Sequence, residues 1–450
     1  MAVWSSVRWS QLTEDRRFDA EHYKPEYLLQ ASAIRNCPHR RLCEIADVTD
    51  GNHISIAERF TESGVRYLRG QDLSEFFISD RDPAFIPEDI YRSLKRSHMR
   101  AGDVLLGIVA TIGPVSLVAA RFEKLTGNCK IAILRPKAIE SEYLAAFFAS
   151  LVGQRELHRR ARGTVQSGVI LPDLKVIPIP ILGNRTRQAV VQKVRAANQS
   201  RADGDTQYRD AEALLQSALG LDKLDLTPRL FYERSFADAR AAGRLDAEYF
   251  NPPMQNLIGA LSRDGTRIGD LAKLATGRFK PQGGIEFQYI EIGDVTSFGT
   301  AESNAVAGEE APSRATWIVR TGDVITTTVR PIRRLSGIIT REQDGHVCSS
   351  GFAVLKPKSI EPELLLTYLR LPLVSELLDL HTTASMYPAI STTDLMRIPI
   401  TVPDGQTRKK IVAKVRQAFD ARREARRLLD QAKAMVERDI LSGAGARTPI

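Results

Sequence analysis

The chain has only four cysteines (Cys37, Cys43, Cys129 and Cys348), none in a CxxC pair and none spaced with its seven histidines as metal ligands are. That scarcity excludes a disulfide scaffold and leads us to expect a reducing, cytoplasmic setting. There is no G-x-x-x-x-G-K-[ST] phosphate loop, so a nucleotide-driven motor is excluded. The Glu-x-Lys triplet of the usual metal-dependent nuclease core is also missing. The opening MAVWSSVRWSQ lacks the apolar core of a signal peptide. Long uncharged runs are scarce: Val104 to Ala120 is the one that invites a membrane-spanning reading. Gly113-Pro114 interrupts it in the manner of a turn, which predicts two buried strands and no membrane partner.

What is present is ordinary in bulk. Hydrophobic residues make up 43% and charged residues 26% of 450 positions, enough for two globular domains with connections. A net charge of +9 and a pI near 9.4 favour a polyanionic partner, nucleic acid before anionic membrane.

The chain is a duplication. Arg17-Phe18-Asp19-Ala20-Glu21-His22-Tyr23-Lys24-Pro25 returns as Arg244-Leu245-Asp246-Ala247-Glu248-Tyr249-Phe250-Asn251-Pro252, a shift of 227. Gly102-Asp103-Val104 returns as Gly322-Asp323-Val324, ILRPKAI from Ile133 as VLKPKSI from Val354, and Asp173-Leu174 as Asp394-Leu395. Over these last segments the shift settles near 221, far longer than a solenoid unit, so the repeat is a whole domain. The counterpart of the uncharged run holds Arg330, Arg333 and Arg334, which removes the membrane reading.

Each copy predicts a short opening helix ended at its proline, then short β-rich runs such as Val65–Leu68 and Phe287–Ile290. One helix follows (Glu140 to Leu157, Glu361 to Leu380), then an Ile-Pro exit and a closing helix over 184–219 or 405–441. In the last helix Ile411, Val415, Ala418, Ala425, Leu429, Ala432 and Val436 step by four and three, with Arg422 in the missing slot. The first copy offers Val190, Val194, Ala197, Arg201, Gly204, Tyr208, Ala211 and Leu215 at the same places. Two such stripes pair most simply with each other, antiparallel; packing of each helix on its own domain is the alternative. Gly204 predicts fraying or a kink in the first helix. The fold class expected is α+β: two β-rich domains in pseudo-twofold repeat, each followed by a long helix of an antiparallel coiled coil. The boundaries expected are 1–182, 183–222, 223–403 and 404–441, with a flexible tail over 442–450. A helix of about 35 residues spans about 50 Å, on the order of one and a half turns of duplex DNA.

This pattern resembles the specificity (S) subunit of Type I restriction-modification systems. The residues carrying the resemblance are Gly64 to Leu73, Arg100 to Leu105, Leu174 to Pro180, Arg244 to Tyr249 and Thr328 to Pro331, over roughly 14–441. The resemblance implies that each β-rich head is a target recognition domain reading half of a split, asymmetric double-stranded DNA sequence. It implies no catalysis in this chain. Partners would be two modification (methyltransferase) subunits, with room for two restriction motor-nuclease subunits; S-adenosylmethionine, ATP and Mg would sit on those partners.

Reading DNA needs Arg or Lys toward guanine, Asn or Gln toward adenine, and cations toward phosphates. Loop candidates in the first head are Asn52, His53, Arg69, Gln71, Lys95, Arg96, Gln166 and Ser167. In the second they are Arg278, Lys280, Gln282, Arg330, Arg333, Arg334, Ser385 and Tyr387. The sharpest cluster is Thr326 to Arg334, three arginines around a proline turn. The basic run of the last helix (Arg408, Lys409, Lys410, Lys414, Arg416, Arg422, Arg423, Arg426, Arg427) fits a solvated face, DNA between half-sites or an acidic partner surface equally.

Two rival readings remain. Asn251-Pro252-Pro253-Met254 approximates the catalytic segment of a self-contained DNA adenine methyltransferase, but its fourth residue is not the aromatic that stacks an extruded base. The other is an adaptor or recognition subunit of a different phage-defence complex.

Overall fold

In the computed structural model the described residues are 4–10, 12, 17–74, 76–80, 82–163, 167–296, 298–383 and 386–443. Most of the expected 442–450 tail lies outside them. Contacts divide the chain into two units, residues 1–201 with 422–450, and residues 202–421.

The Gly-Asp-Val segments show how sequence becomes sheet. Gly102 and Gly322 take φ of +87° and +86°, a bend only glycine enters freely. The following aspartate then accepts a backbone N–H, Asp103 from Arg100 at 2.9 Å and Asp323 from Arg320 at 2.8 Å. Out of each turn runs a buried strand, Val104–Gly107 or Val324–Thr327. In the first unit it lies between Ile131–Pro136 and Val115–Leu117, and Ala46–Asp50 completes an antiparallel four-stranded sheet. The second unit repeats the order with Ala272–Leu274, Phe352–Pro357, Val324–Thr327 and Ser336–Ile338.

Alternation explains the uncharged run. Val104, Leu106, Ala132 and Leu134 point into the core beneath the head's helices, while Leu105, Ile131 and Ile133 point to a second core with Leu68 and Leu125. Both faces are covered, so neither can be polar. The expected pair of strands is present, and among the described residues no helix is long and apolar enough to cross a membrane. The second core is closed by another sheet in which a strand pairs in parallel: Val65–Leu68 with Leu125–Gly127, and Glu286–Ile290 with Val347–Ser349. The second unit adds a strand there, Ala315–Ile318.

Two expectations about helices are corrected. Glu140 to Leu157 is two helices, Ser141–Ala149 and Leu151–His158, because the Ser150 hydroxyl accepts the Gly153 N–H at 3.2 Å and starts a new one. Glu361 to Leu380 splits into Pro362–Arg370 and Pro372–Leu380, since a residue before proline is driven out of the helical region. The opening helices end before their prolines as expected, Ala20–Tyr23 before Pro25 and Ala247–Phe250 before Pro252, and each proline then begins a second helix, Pro25–Arg35 and Pro252–Leu261, where the missing N–H costs nothing.

The repeated Arg-x-Asp motif is a clamp. Arg17 grips Asp19 at 2.6 Å and donates to the carbonyls of Arg160 and Ala161, just past a helix end. Arg244 grips Asp246 at 2.6 Å and donates to the carbonyl of Leu380, the last residue of its helix. A cation there satisfies orphan carbonyls and faces the negative end of the dipole. The guanidinium hydrogen bonds hold Asp19 and Asp246 below the usual carboxylate range.

The long helices run Asn184–Leu219 and Gly405–Leu441, and they pair antiparallel. In the first unit Thr186 donates to Asp439 and Lys193 to Gln431, both at 2.6 Å. In the second, Lys414 reaches Gln207 at 3.0 Å and Asp210 at 2.9 Å. The stripe positions Val190, Val194, Ala197, Ala425, Leu429, Ala432 and Val436 are buried in the first core, and Tyr208, Ala211, Leu215, Ile411, Val415 and Ala418 in the second. Gly204 does not interrupt the helix: it is buried mid-helix, where packing offsets its roughly 1 kcal/mol propensity cost. Matched ion pairs fasten helix to head, Arg195–Glu142 at 2.7 Å and Arg416–Glu363 at 2.6 Å. Arg187–Glu140 and Arg408–Glu361 repeat the pattern at 3.5 and 3.3 Å.

Candidate nucleic-acid interface

Each buried Val104 or Val324 strand emerges into a loop built the same way in both units. The residue six positions beyond its valine is left-handed although it is not glycine: Ala110 at φ +66° and Arg330 at φ +49°. Such a bend costs roughly 1–2 kcal/mol and persists only where its surroundings fix it. Here a backbone bond fixes it. Ala110 N–H donates to Ser167 O at 3.0 Å, and Arg330 N–H donates to Pro388 O at 2.8 Å. The residue before each forms a bridge to the same neighbouring hairpin, Val109 with Gly168 and Val329 with Ala389. Two loops are thereby joined at the rim of each unit.

The side chains on this common frame keep Val109 with Val329 and Ile112 with Ile332 but differ in charge. The first unit shows Ala110, Thr111 and Ile112, without charge. The second shows Arg330, Ile332, Arg333 and Arg334, with Arg334 also left-handed at φ +56°. Arg330 lies over the Tyr387 ring at 5.6 Å and donates to Met386 O at 3.3 Å. Arg333 and Arg334 are exposed and their side chains make no ion pair among the described residues. Beneath them the guanidinium of buried Arg370 donates to Arg334 O at 3.0 Å and Ser336 O at 3.2 Å, bracing the loop from inside. The result is an exposed cationic and aromatic platform on a rigid base. Guanidiniums of this kind contact phosphates or guanine edges, and an exposed ring stacks a base.

The other candidates divide by whether their polar atoms are already engaged. Asn52 is buried, giving its amide to Ile54 O at 2.8 Å and accepting Ile54 N–H at 2.9 Å; it shapes a turn and is withdrawn as a base reader. Arg69 is withdrawn too, because it closes on Asp72 through two bonds of 3.0 and 3.1 Å. Arg96 and His53 flank the same carboxylate, Asp50, at 2.6 and 2.7 Å, each engaged through one nitrogen. Gln71 and Lys95 are exposed. Ser167 is exposed and supplies the carbonyl that bends the first loop. Gln166 and Ser385 lie outside the described residues. Arg278 stacks on Trp317 at 5.2 Å, while Lys280 and Gln282 are exposed beside it.

Lys130 escaped the sequence reading. It is exposed and its Cβ lies against Gly70, next to Gln71, so the two form one polar edge of the first unit. Met386, beside Tyr387, was missed as well; its mismatch with the first copy was the available signal. On the last helix Arg408, Lys414 and Arg416 are engaged by Glu361, Asp210 and Glu363, and Arg427 by Glu424 at 2.6 Å. Arg416 and Arg427 stay largely exposed while paired. Lys409 and Lys410 are exposed.

Among the described residues no group of three His, Cys, Asp or Glu side chains is placed to hold a metal ion. Burial pushes the Cys348 thiol up to about 12, which keeps it protonated and unreactive. Asn251 is tied to the backbone of Arg229 in both directions at 3.3 Å, and its prolines open a helix.

No family model and no curated protein matches the chain. Among solved structures it is similar to the Type I restriction-modification S subunit from M. genitalium, at 12% identity over 90% of this chain and 95% of that one, with a TM-score of 0.38. It is similar to the HsdS subunit from Thermoanaerobacter tengcongensis at 18% identity over 92% and 97% of the two chains, TM-score 0.27. A chain from a study of assembly and conformational transition of the Type I R-M system matches at 19% identity over 91% and 97%, TM-score 0.28.

Proposed function

We propose that this chain is a non-catalytic DNA-recognition subunit, each head reading one half of a bipartite, asymmetric duplex sequence within a methyltransferase or restriction complex. The observation that carries the reading is the matched left-handed loop, uncharged at Ala110 and arginine-rich at Arg330 to Arg334. One backbone frame shown twice with different donors suits two different half-sites. Arg333 and Arg334 would contact phosphates or guanine, and Tyr387 with Arg330 would form a stacking surface. Methylation and cleavage would belong to partners: two modification subunits, with two motor-nuclease subunits in a restricting complex. S-adenosylmethionine, ATP and Mg would be bound there. Counterion release would make binding fall steeply with salt.

The reading is tested by exchanging residues 240–403 for the corresponding segment of a relative with a different target. Methylation should move to a new sequence in one half-site and stay unchanged in the other. An unchanged pair of half-sites overturns the two-reader model. The methyltransferase rival is tested separately by S-adenosylmethionine binding to the isolated chain; saturable binding would favour it. The engaged Asn251 amide weighs against that rival.

A further inference from the structure

Large apolar side chains stand exposed at the same repeat positions outside the loops described above. In the first unit Trp4, Trp9 and Phe18 are 82%, 71% and 72% exposed; in the second Phe231, Phe236 and Leu245 are 91%, 77% and 83% exposed. Each pair is related by the shift of 227 that aligns the Arg-x-Asp clamps. Between these positions the two segments have diverged widely, sharing little besides the large apolar residues and the clamp arginine. The backbone that presents them is fixed in the same manner. Ser5 donates its hydroxyl to Tyr23 O and Tyr232 donates its own to Ala247 O, from equivalent positions onto each opening segment. Trp9 begins a helical stretch, and Phe236 begins the helix Phe236–Ala242 capped by Ser235. Trp9 and Phe18 meet at 6.2 Å, so these two rings of the first set form one patch.

A cleft of about 560 Å³ is lined by Phe18 in the first unit, and one of about 500 Å³ is lined by Arg244 and Asp246, the chain neighbours of Leu245, in the second. Both are lined by repeat-related residues: Arg17, Asp19 and Glu21 in one, Arg244, Asp246 and Glu248 in the other. Each also reaches its reading loops, through Ser167 and through Ile332.

We infer that patch and cleft together form one docking surface, present twice, for two copies of the same protein partner. Scattered exposed apolar residues need no explanation, but three large ones kept at matched positions in a diverged duplicate do. Three aromatic-sized side chains bury roughly 500 Å² on contact, a large share of the roughly 800 Å² each partner contributes to a stable interface. A second copy of this chain is the less suitable occupant, because two such surfaces per chain would propagate an open array instead of a closed assembly. A membrane is less suitable because Phe236 stands on a helix of only seven residues. Resting on the function proposed above, the partner is the modification subunit, seated beside the loop that reads its half-site.

The test uses the full chain in its own cell, with a photo-crosslinking phenylalanine analogue in place of Trp4 or of Phe231. Mass spectrometry should identify the same polypeptide joined at both positions. Joining to another copy of this chain, to lipid, to two unrelated polypeptides or to nothing overturns the inference. If the shared polypeptide has no DNA methyltransferase activity, the docking surface stands and the function proposed above falls. Native mass spectrometry of the purified complex adds a count. Phe231→Ser with Phe236→Ser should reduce partner copies per chain from two to one, the remaining copy showing that the chain is folded. Two copies retained would overturn the assignment.

Discussion

The loop after Val104 and the loop after Val324 differ in charge and agree in the backbone of their bend. Both turn left-handed at the same repeat position, and both are held by one N–H to the carbonyl of a neighbouring hairpin. One loop shows Ala110, Thr111 and Ile112, the other three arginines. The contrast teaches that the frame, not the local sequence, sets this bend, since alanine and arginine have no preference for it. A bend imposed from outside leaves the side chain free to change, which is what a recognition position requires.

The largest effect should come from removing the chemistry of one loop only. Replacing Arg330, Arg333 and Arg334 with alanine should weaken binding of the cognate duplex by roughly 100-fold or more. If all three touch phosphates, the slope of log affinity against log salt should also fall by about 2.7. Fluorescence anisotropy at several salt concentrations measures both, and an unchanged affinity would remove this loop from the interface.

Next in size is a difference between the two turn aspartates. Asp103 is buried and paired with Arg135 at 2.8 Å. Asp323 is buried with no ion pair among the described residues, Lys356 and Arg320 acting as weak countercharges, and burial raises its carboxyl above the usual range. Asp103→Asn should therefore cost about 2 kcal/mol, by stranding Arg135. Asp323→Asn should stabilise by up to about 1 kcal/mol at neutral pH. The sign follows from linkage: a raised folded value means the folded chain binds more protons, so the wild type loses stability as pH rises from the usual carboxylate range through that higher value. The asparagine variant lacks this slope. Denaturant melts of both variants at pH 4 and pH 7 check the pair.

The shared bend predicts a smaller and equal response. Ala110→Gly and Arg330→Gly should each gain about 0.5–1 kcal/mol in thermal or denaturant melts, because glycine enters the left-handed region freely. A gain in one copy alone would show that the frames are not equivalent. The smallest effect should come from the matched fasteners: Arg195→Ala and Arg416→Ala should each cost under about 1 kcal/mol, being pairs of largely exposed arginines.

Much of the architecture was legible in the sequence because it rests on periodicity. The stripe from Ile411 to Val436 and its counterpart from Val190 to Leu215 are local patterns, and a helix with such a face must bury it. Val104 to Ala120 was legible as two covered strands because its duplicate carries charge. The helix breaks at Ser150 and Leu371 were readable in principle, one from a capping serine and one from the proline that follows. Gly204 was misjudged because propensity is outweighed by burial against a partner helix.

The candidate site was legible only in outline. The sequence determined that the chain has two heads, two long helices, and an arginine cluster with no counterpart. It did not determine which polar groups are available. Asn52, Arg69 and Arg96 were indistinguishable in sequence from Arg333 and Arg334, yet the first three are engaged by Ile54, Asp72 and Asp50. Availability depends on which carbonyl or carboxylate the fold brings within about 3 Å, and Asp50 lies 46 residues from the arginine it engages. Periodicity is written locally and survives in one dimension; the engagement of a guanidinium is a distance, and only the tertiary structure sets it.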